Sequence, residues 1–143
     1  MATTQTDGFL NCVAGDWHAG HSSDIVEVFN PATAEILAKA ALADATDVDA
    51  AVAAASSAFP AWRRTPPQNR IGFLFKFRTL LEQHADEIAR LTTQENGKTF
   101  AESRAELQRG IENVEVACGI PTLMQGYNLE DIASGLDEIM IRQ

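Results

Sequence analysis

The 143-residue chain is poor in cysteine. Cys12 and Cys118 are its only two, and they stand far apart. That scarcity argues against a disulfide framework or a cysteine-based metal site and fits a reducing, cytoplasmic setting. Basic side chains are also few, 11 Lys and Arg against 20 Asp and Glu, for a net charge of −9. Such a surface repels phosphate backbones, and with no Lys/Arg cluster nucleic acid is not an expected partner. Long apolar runs are missing as well. Residues 50–59 are alanine-rich, broken by Ser56 and Ser57, and too short to span a bilayer, so no membrane role is expected. Residues 1–8 carry one acid and no base and read as neither a signal peptide nor a transit peptide. His18, His21 and His84 are not at ligand spacing with the cysteines, and no Glu-x-x-His pair occurs, so no metal site is expected. There is no G-x-G, hence no dinucleotide fingerprint. Gly97-Lys98-Thr99 looks like the tail of a phosphate-binding loop, but the glycine required five residues earlier is Thr92.

What is present is a change of period. Residues 9–40 alternate and turn like strands. Residues 9–13 and 16–19 flank Ala14-Gly15, a tight-turn pair, and residues 25–29 and 36–40 flank the proline-nucleated turn 30–35. Val48, Val52, Ala55, Phe59 and Trp62 then fall on one helical face. Thr46 with Asp49 resembles a capping box that starts this helix, and Pro60 is expected to kink or end it. A second helix starts at Thr65-Pro66, and its stretch 71–81 is apolar almost all round, which predicts burial between layers. A third runs over 86–95 and stops at Asn96-Gly97, a left-handed cap signal. The fourth begins at a Thr99/Glu102 capping box. Its apolar stripe is Leu107, Ile111, Val114 and Cys118, and Gly119 and Pro121 end it. Residues 123–135 read as loop. Residues 136–143 read as a strand with an unpaired edge in which the chain stops, a sign of truncation.

No residue stands out as a catalyst. Cys118, at a helix C-terminus, has no activating base and reads as a buried structural thiol, and Cys12 is assigned the same role. Glu112 and Glu115 share a helical face with nothing basic joining them and read as solvated. Arg104 and Arg109 lie among Glu102, Glu106, Glu112 and Glu115, where i,i+3 ion pairing is the plain reading. Arg109 is followed by Gly110, which leaves room beside the helix, and this makes Arg109 the one candidate for binding.

Several segments carry a resemblance. V-E-V-F-N-P-A-T-A-E-I-L-A-K from Val26, D-V-D-A-A-V from Asp47, E-N-G-K-T from Glu95 and G-D-W from Gly15 are similar to the entry region of the aldehyde dehydrogenase superfamily. R-G-I-E-N-V-E from Arg109 and A-C-G-I-P-T-L-M-Q-G from Ala117 resemble its CoA-acylating methylmalonate-semialdehyde branch. The resemblance implies an α/β fold of aldehyde dehydrogenase type, here only the N-terminal portion: β-hairpins, about four helices and a terminal strand. It implies that residues 1–126 begin a cofactor-binding domain (hairpins 9–40, helices 46–119) and that 127–143 begin the strands used for homo-oligomerisation. It implies a parent enzyme that oxidises a semialdehyde with NAD and passes the acyl group to CoA through a cysteine thioester. That cysteine has no counterpart here, so this segment is expected to bind neither cofactor alone and to carry no catalytic residue. It also implies that Arg109 holds the substrate carboxylate. The alternative is a non-catalytic relic that binds an intact dehydrogenase through its terminal strand. Two positions depart from the pattern. Ala34 stands where the family has glycine, a strain if that site needs a positive φ, and Cys12 replaces an apolar or small residue.

Overall fold

Backbone conformation at two residues makes the first hairpin. Ala14 (φ 55°) and Gly15 (φ 93°) both lie in the left-handed region, the arrangement that lets a two-residue loop match the twist of its flanking strands. The computed structural model, which describes residues 10–142, thus pairs β1 (Asn11–Val13) with β2 (Asp16–His18) antiparallel, Cys12 opposite Trp17. Phe9, placed in this strand by its sequence, lies outside the described residues, as do residues 1–8 and Gln143.

The second hairpin joins β3 (Ile25–Phe29) to β4 (Ile36–Ala41), with Glu27 opposite Lys39 and a bulge at Val28/Phe29. Asn30 organises its turn. Its Oδ1 accepts from the Ala32 N–H at 2.9 Å, its carbonyl accepts from the Ala34 N–H at 2.8 Å, and its own N–H donates to the Glu35 carbonyl at 2.8 Å. This geometry leaves Ala34 at φ 59°. A Cβ there costs about 1–2 kcal/mol, offset in part by the about 0.4–1 kcal/mol of chain entropy that glycine adds to the unfolded state. Ala34→Gly therefore stabilises by about 0.5–1 kcal/mol. The urea midpoint reads this directly, and a lower midpoint for the variant contradicts the strain.

Five helices follow among the described residues. Asp44 caps α1 (Ala45–Arg64): its Oδ1 accepts from the Thr46 and Asp47 N–H groups at 2.8 and 3.1 Å, and Asp47 Oδ2 accepts from the Asp44 N–H at 3.0 Å. The capping box is therefore Asp44/Asp47, two residues ahead of the expected Thr46/Asp49. Nor does Pro60 end the helix, which runs on to Arg64. The bond that proline removes would have gone to the carbonyl of Ser56, an exposed residue whose acceptor water can satisfy. α3 (Ala85–Asn96) closes as expected, with Gly97 at φ 78° donating its N–H to the Thr93 carbonyl at 3.0 Å. α4 (Phe100–Cys118) opens on the expected box: the Thr99 N–H donates to Glu102 Oε2 at 3.0 Å and the Glu102 N–H to Thr99 Oγ1 at 3.3 Å. These bonds also hold the Glu102 carboxyl below its ordinary range, the Thr99 hydroxyl contributing most.

The chain divides into two units. The first, Met1–Arg64 with Asp86–Ala105, holds both hairpins, α1, nearly all of α3 and the start of α4. Ala89 and Ser103 are buried within it, and the Ser103 and Thr93 hydroxyls lie 3.0 Å apart. The second, Thr65–Ala85 with Glu106–Gln143, holds α2 (Pro67–Gln83), the rest of α4, the short α5 (Ile120–Leu123) and a third hairpin. Ile111 and Cys118 of the α4 stripe are buried, flanked by half-buried Leu107 and Val114.

Two expectations fail in the second unit. Residues 127–133 are not loop but β5 (Tyr127–Ala133), paired antiparallel with β6 (Leu136–Met140). The terminal strand thus has a partner along one side, and β6 ends before Ile141 rather than running to residue 143. Within this segment nothing covers α2: Phe73 is 60% exposed and none of the described side chains of the helix is buried. The face of α1 is open too, with Val48, Val52, Phe59 and Trp62 all exposed. No helix among the described residues is long and apolar enough to cross a membrane.

Candidate functional site

The periodicity of α4 decides where Arg109 points. Ile111 is 1% exposed and marks the inner side of the helix. Arg109, two positions earlier, is rotated from it by about 200° and so lies on the opposite face. It is exposed, and among the described residues no ion pair or hydrogen bond holds its guanidinium. The expected pairing with Glu106 or Glu112 is therefore absent. Arg104 does not pair within its own helix either, since its Nε lies 3.2 Å from Asp86 Oδ1 of α3. A Cβ added to Gly110 would meet nothing within 4 Å, so the space beside Arg109 is open. The arrangement is an unpaired, planar donor fork on an open helix face, suited to gripping a carboxylate with two parallel hydrogen bonds.

The acidic face behind it is not simply solvated. Arg78 of α2 donates from Nε to Glu115 Oε1 at 2.6 Å and from Nη1 to Glu82 Oε2 at 2.9 Å, while its Nη2 lies 2.9 Å from Glu82 Oε1. The bond to Glu115, and then the charge of Glu82, raise the Arg78 pKa still further. No local signal could have disclosed this link, because Arg78 precedes Glu115 by 37 residues.

The cysteines part company. Cys118 is 9% exposed, in keeping with a structural thiol, but Cys12, expected to be buried likewise, is exposed on the two-stranded sheet of β1 and β2. In the first unit Cys12 lines a cleft of about 680 Å³ together with Trp17, His18, His21, Asp47 and Val48. At its edge His21, Asp44 and Asp47 present ligand-type atoms within 4.8 Å of one another. Hydrogen bonds account for that cluster. Asp44 Oδ1 caps α1, Asp47 Oδ2 accepts from the N–H groups of Asp44 and His21, both at 3.0 Å, and Asp47 Oδ1 lies 2.5 Å from His21 Nδ1. With these bonds at the positive end of a helix, the cluster works as a cap and a clasp.

The clasp is sensitive to pH. The N–H of Asp44, then the N–H and ring of His21, push the Asp47 carboxyl from 3.8 down to about 2. The hydrogen bond to Asp47 raises His21 above 6.5. A lowered acid stabilises above its unfolded pKa and loses that contribution as pH falls toward 2. A raised histidine stabilises below its unfolded pKa and loses it as pH climbs past the folded one. The clasp is thus strongest between about pH 4 and 6.5. His21→Ala should flatten the alkaline limb of the profile of melting temperature against pH. An unchanged alkaline limb would contradict the clasp.

Comparisons with known proteins place these features in context. A model of the aldehyde dehydrogenase family matches residues 17–143. Malonate-semialdehyde dehydrogenase 2 of Geobacillus thermodenitrificans (strain NG80-2) is 48% identical over 139 residues, 97% of this chain and 29% of the relative. The malonate-semialdehyde dehydrogenase of Bacillus pumilus (strain SAFR-032) is 46% identical over 142 residues, 99% of this chain and 29% of the relative. Among solved structures, a methylmalonate-semialdehyde dehydrogenase from Oceanimonas doudoroffii superposes with a TM-score of 0.85 at 45% identity, covering 91% of this chain and 26% of that one. A candidate methylmalonate-semialdehyde dehydrogenase from Sinorhizobium meliloti 1021, solved with NAD, gives 0.86 at 37% identity over 95% and 27%. This chain spans 29% of the length of the curated relatives named here.

Proposed function

Because the chain belongs to the aldehyde dehydrogenase family, we propose that it is the N-terminal segment of a malonate- or methylmalonate-semialdehyde dehydrogenase and reads the substrate's carboxylate through Arg109. The observation that carries this reading is Arg109 itself, an unpaired guanidinium on an open face beside Gly110. Similarity to malonate-semialdehyde dehydrogenases along nearly the whole chain supports it. The parent reaction is oxidation of the semialdehyde with NAD as oxidant and CoA as acyl acceptor, through a cysteine thioester formed outside this segment. Neither cofactor is held by these residues. Residues 1–126 contribute to the cofactor-binding domain, whose remainder covers the open faces of α1 and α2. Residues 127–143 carry the hairpin that joins subunits of a cytoplasmic homo-oligomer.

A complementation experiment tests the reading. Supplied with NAD, CoA and malonate semialdehyde, the chain alone yields no NADH above a protein-free blank. Grafted in place of the matching segment of the Geobacillus thermodenitrificans relative, it supports NADH production. A folded but inactive graft overturns the reading, and NADH that scales with the free chain overturns the statement that this segment carries no catalyst.

A further inference from the structure

Arg109 can discriminate only if its helix is held at one rotation. The α4 stripe of Leu107, Ile111, Val114 and Cys118 is apolar, and apolar contact is non-directional, so it resists separation better than it resists turning. A turn of about 10° moves a group about 6 Å from the helix axis by about 1 Å, and a misplacement of that order is enough to spoil a productive geometry. Gly110 places the most permissive residue right beside Arg109, so the local backbone adds little restraint.

Beyond Arg109, toward its C-terminal end, α4 makes a directional contact through Glu115. It stands about 40° around the helix from Ile111, on the inner side, and receives the Nε of Arg78 at 2.6 Å. Arg78 is itself fixed by two contacts to Glu82, its i+4 neighbour on α2, so the guanidinium is already placed when Glu115 meets it. We propose that Arg78 is a positioning residue for specificity: through Glu115 it sets the rotation of α4 and so the direction of Arg109. This rests on the carboxylate-reading role of Arg109 given above. Arg78 touches no substrate, and its effect is confined to substrates that carry a carboxylate.

The test uses the grafted enzyme and three variants, Arg109→Leu, Glu115→Ala and Glu115→Gln. KM and kcat are measured for malonate semialdehyde and for propanal, which has no carboxylate. Glu115→Ala raises KM for malonate semialdehyde about 3- to 10-fold, with kcat and the propanal constants little changed. Glu115→Gln keeps an acceptor oxygen for Arg78 and recovers part of the loss. Equal effects on both aldehydes, or none, overturn the inference while a selective Arg109→Leu leaves the reading of Arg109 standing. An unselective Arg109→Leu overturns that reading and the positioning role with it. If Glu115→Ala does not fold, Glu115→Gln decides: a selective rise in KM upholds the role and an unchanged KM ends it.

Discussion

Replacing Arg109 with leucine in the grafted enzyme lowers kcat/KM for malonate semialdehyde about 10- to 150-fold and leaves propanal nearly untouched. The size follows from losing a charge-assisted, bidentate carboxylate contact, about 1.5–3 kcal/mol. The selectivity follows from placement. Arg109 has no ion pair to lose among the described residues, and it faces away from buried Ile111, so leucine disturbs neither a salt bridge nor the helix packing. A purely structural arginine would affect both aldehydes alike. Equal ratios of kcat/KM before and after the substitution therefore dispose of the carboxylate role.

A larger structural loss is expected at Gly126. A Cβ built there lies 1.7 Å from the Met140 carbonyl oxygen and 2.9 Å from its carbon, both backbone atoms with no rotamer to change. The same end of the hairpin carries the Tyr127/Met140 pair and Arg142, whose Nη1 donates to the Leu123 carbonyl at 2.6 Å. Gly126→Ala must push the β6 end away and break these together, at a cost of about 3 kcal/mol or more. Gly135 provides the contrast. At φ 76° with nothing within 4 Å of an added Cβ, it pays backbone strain alone, about 1–2 kcal/mol on alanine substitution. Hydrogen exchange separates the two. Gly126→Ala should lower amide protection at 127–129 and 138–140 by about 100-fold, and Gly135→Ala by about tenfold. Retained protection in Gly126→Ala would show that the strand ends relax at little cost.

Features confined to a few consecutive residues are legible in the sequence alone. The Ala14-Gly15 turn, the Gly97 cap, the Thr99/Glu102 box and the positive φ suspected at Ala34 all appear where the residue types place them. Each is closed by a bond spanning five residues or fewer, so spacing alone specifies it. Where two local solutions compete, spacing does not choose between them: Asp44/Asp47 caps α1 in place of Thr46/Asp49, because Asp44 Oδ1 accepts from the Thr46 and Asp47 N–H groups and starts the helix at Ala45. β5 was hidden for a related reason. Its bulge between Leu129 and Ala133, with Asp131 at φ 49°, breaks the alternation that marks a strand, although Ser134-Gly135 was a turn signal in plain view.

By itself the sequence determined the cap that ends α3 and the box that opens α4, the first two hairpins, the buried stripe of α4 and, through its motifs, the family and the candidacy of Arg109. Tertiary structure alone decided that Arg78 reaches Glu115 across 37 residues, that His21 clasps Asp47 across 26, that Cys12 is exposed while Cys118 is buried, and that Arg109 is left unpaired among the described residues. Local hydrogen bonds follow from spacing within a turn. Contacts at long range depend instead on how helices and strands are turned toward one another, which packing sets and no short window of residues contains.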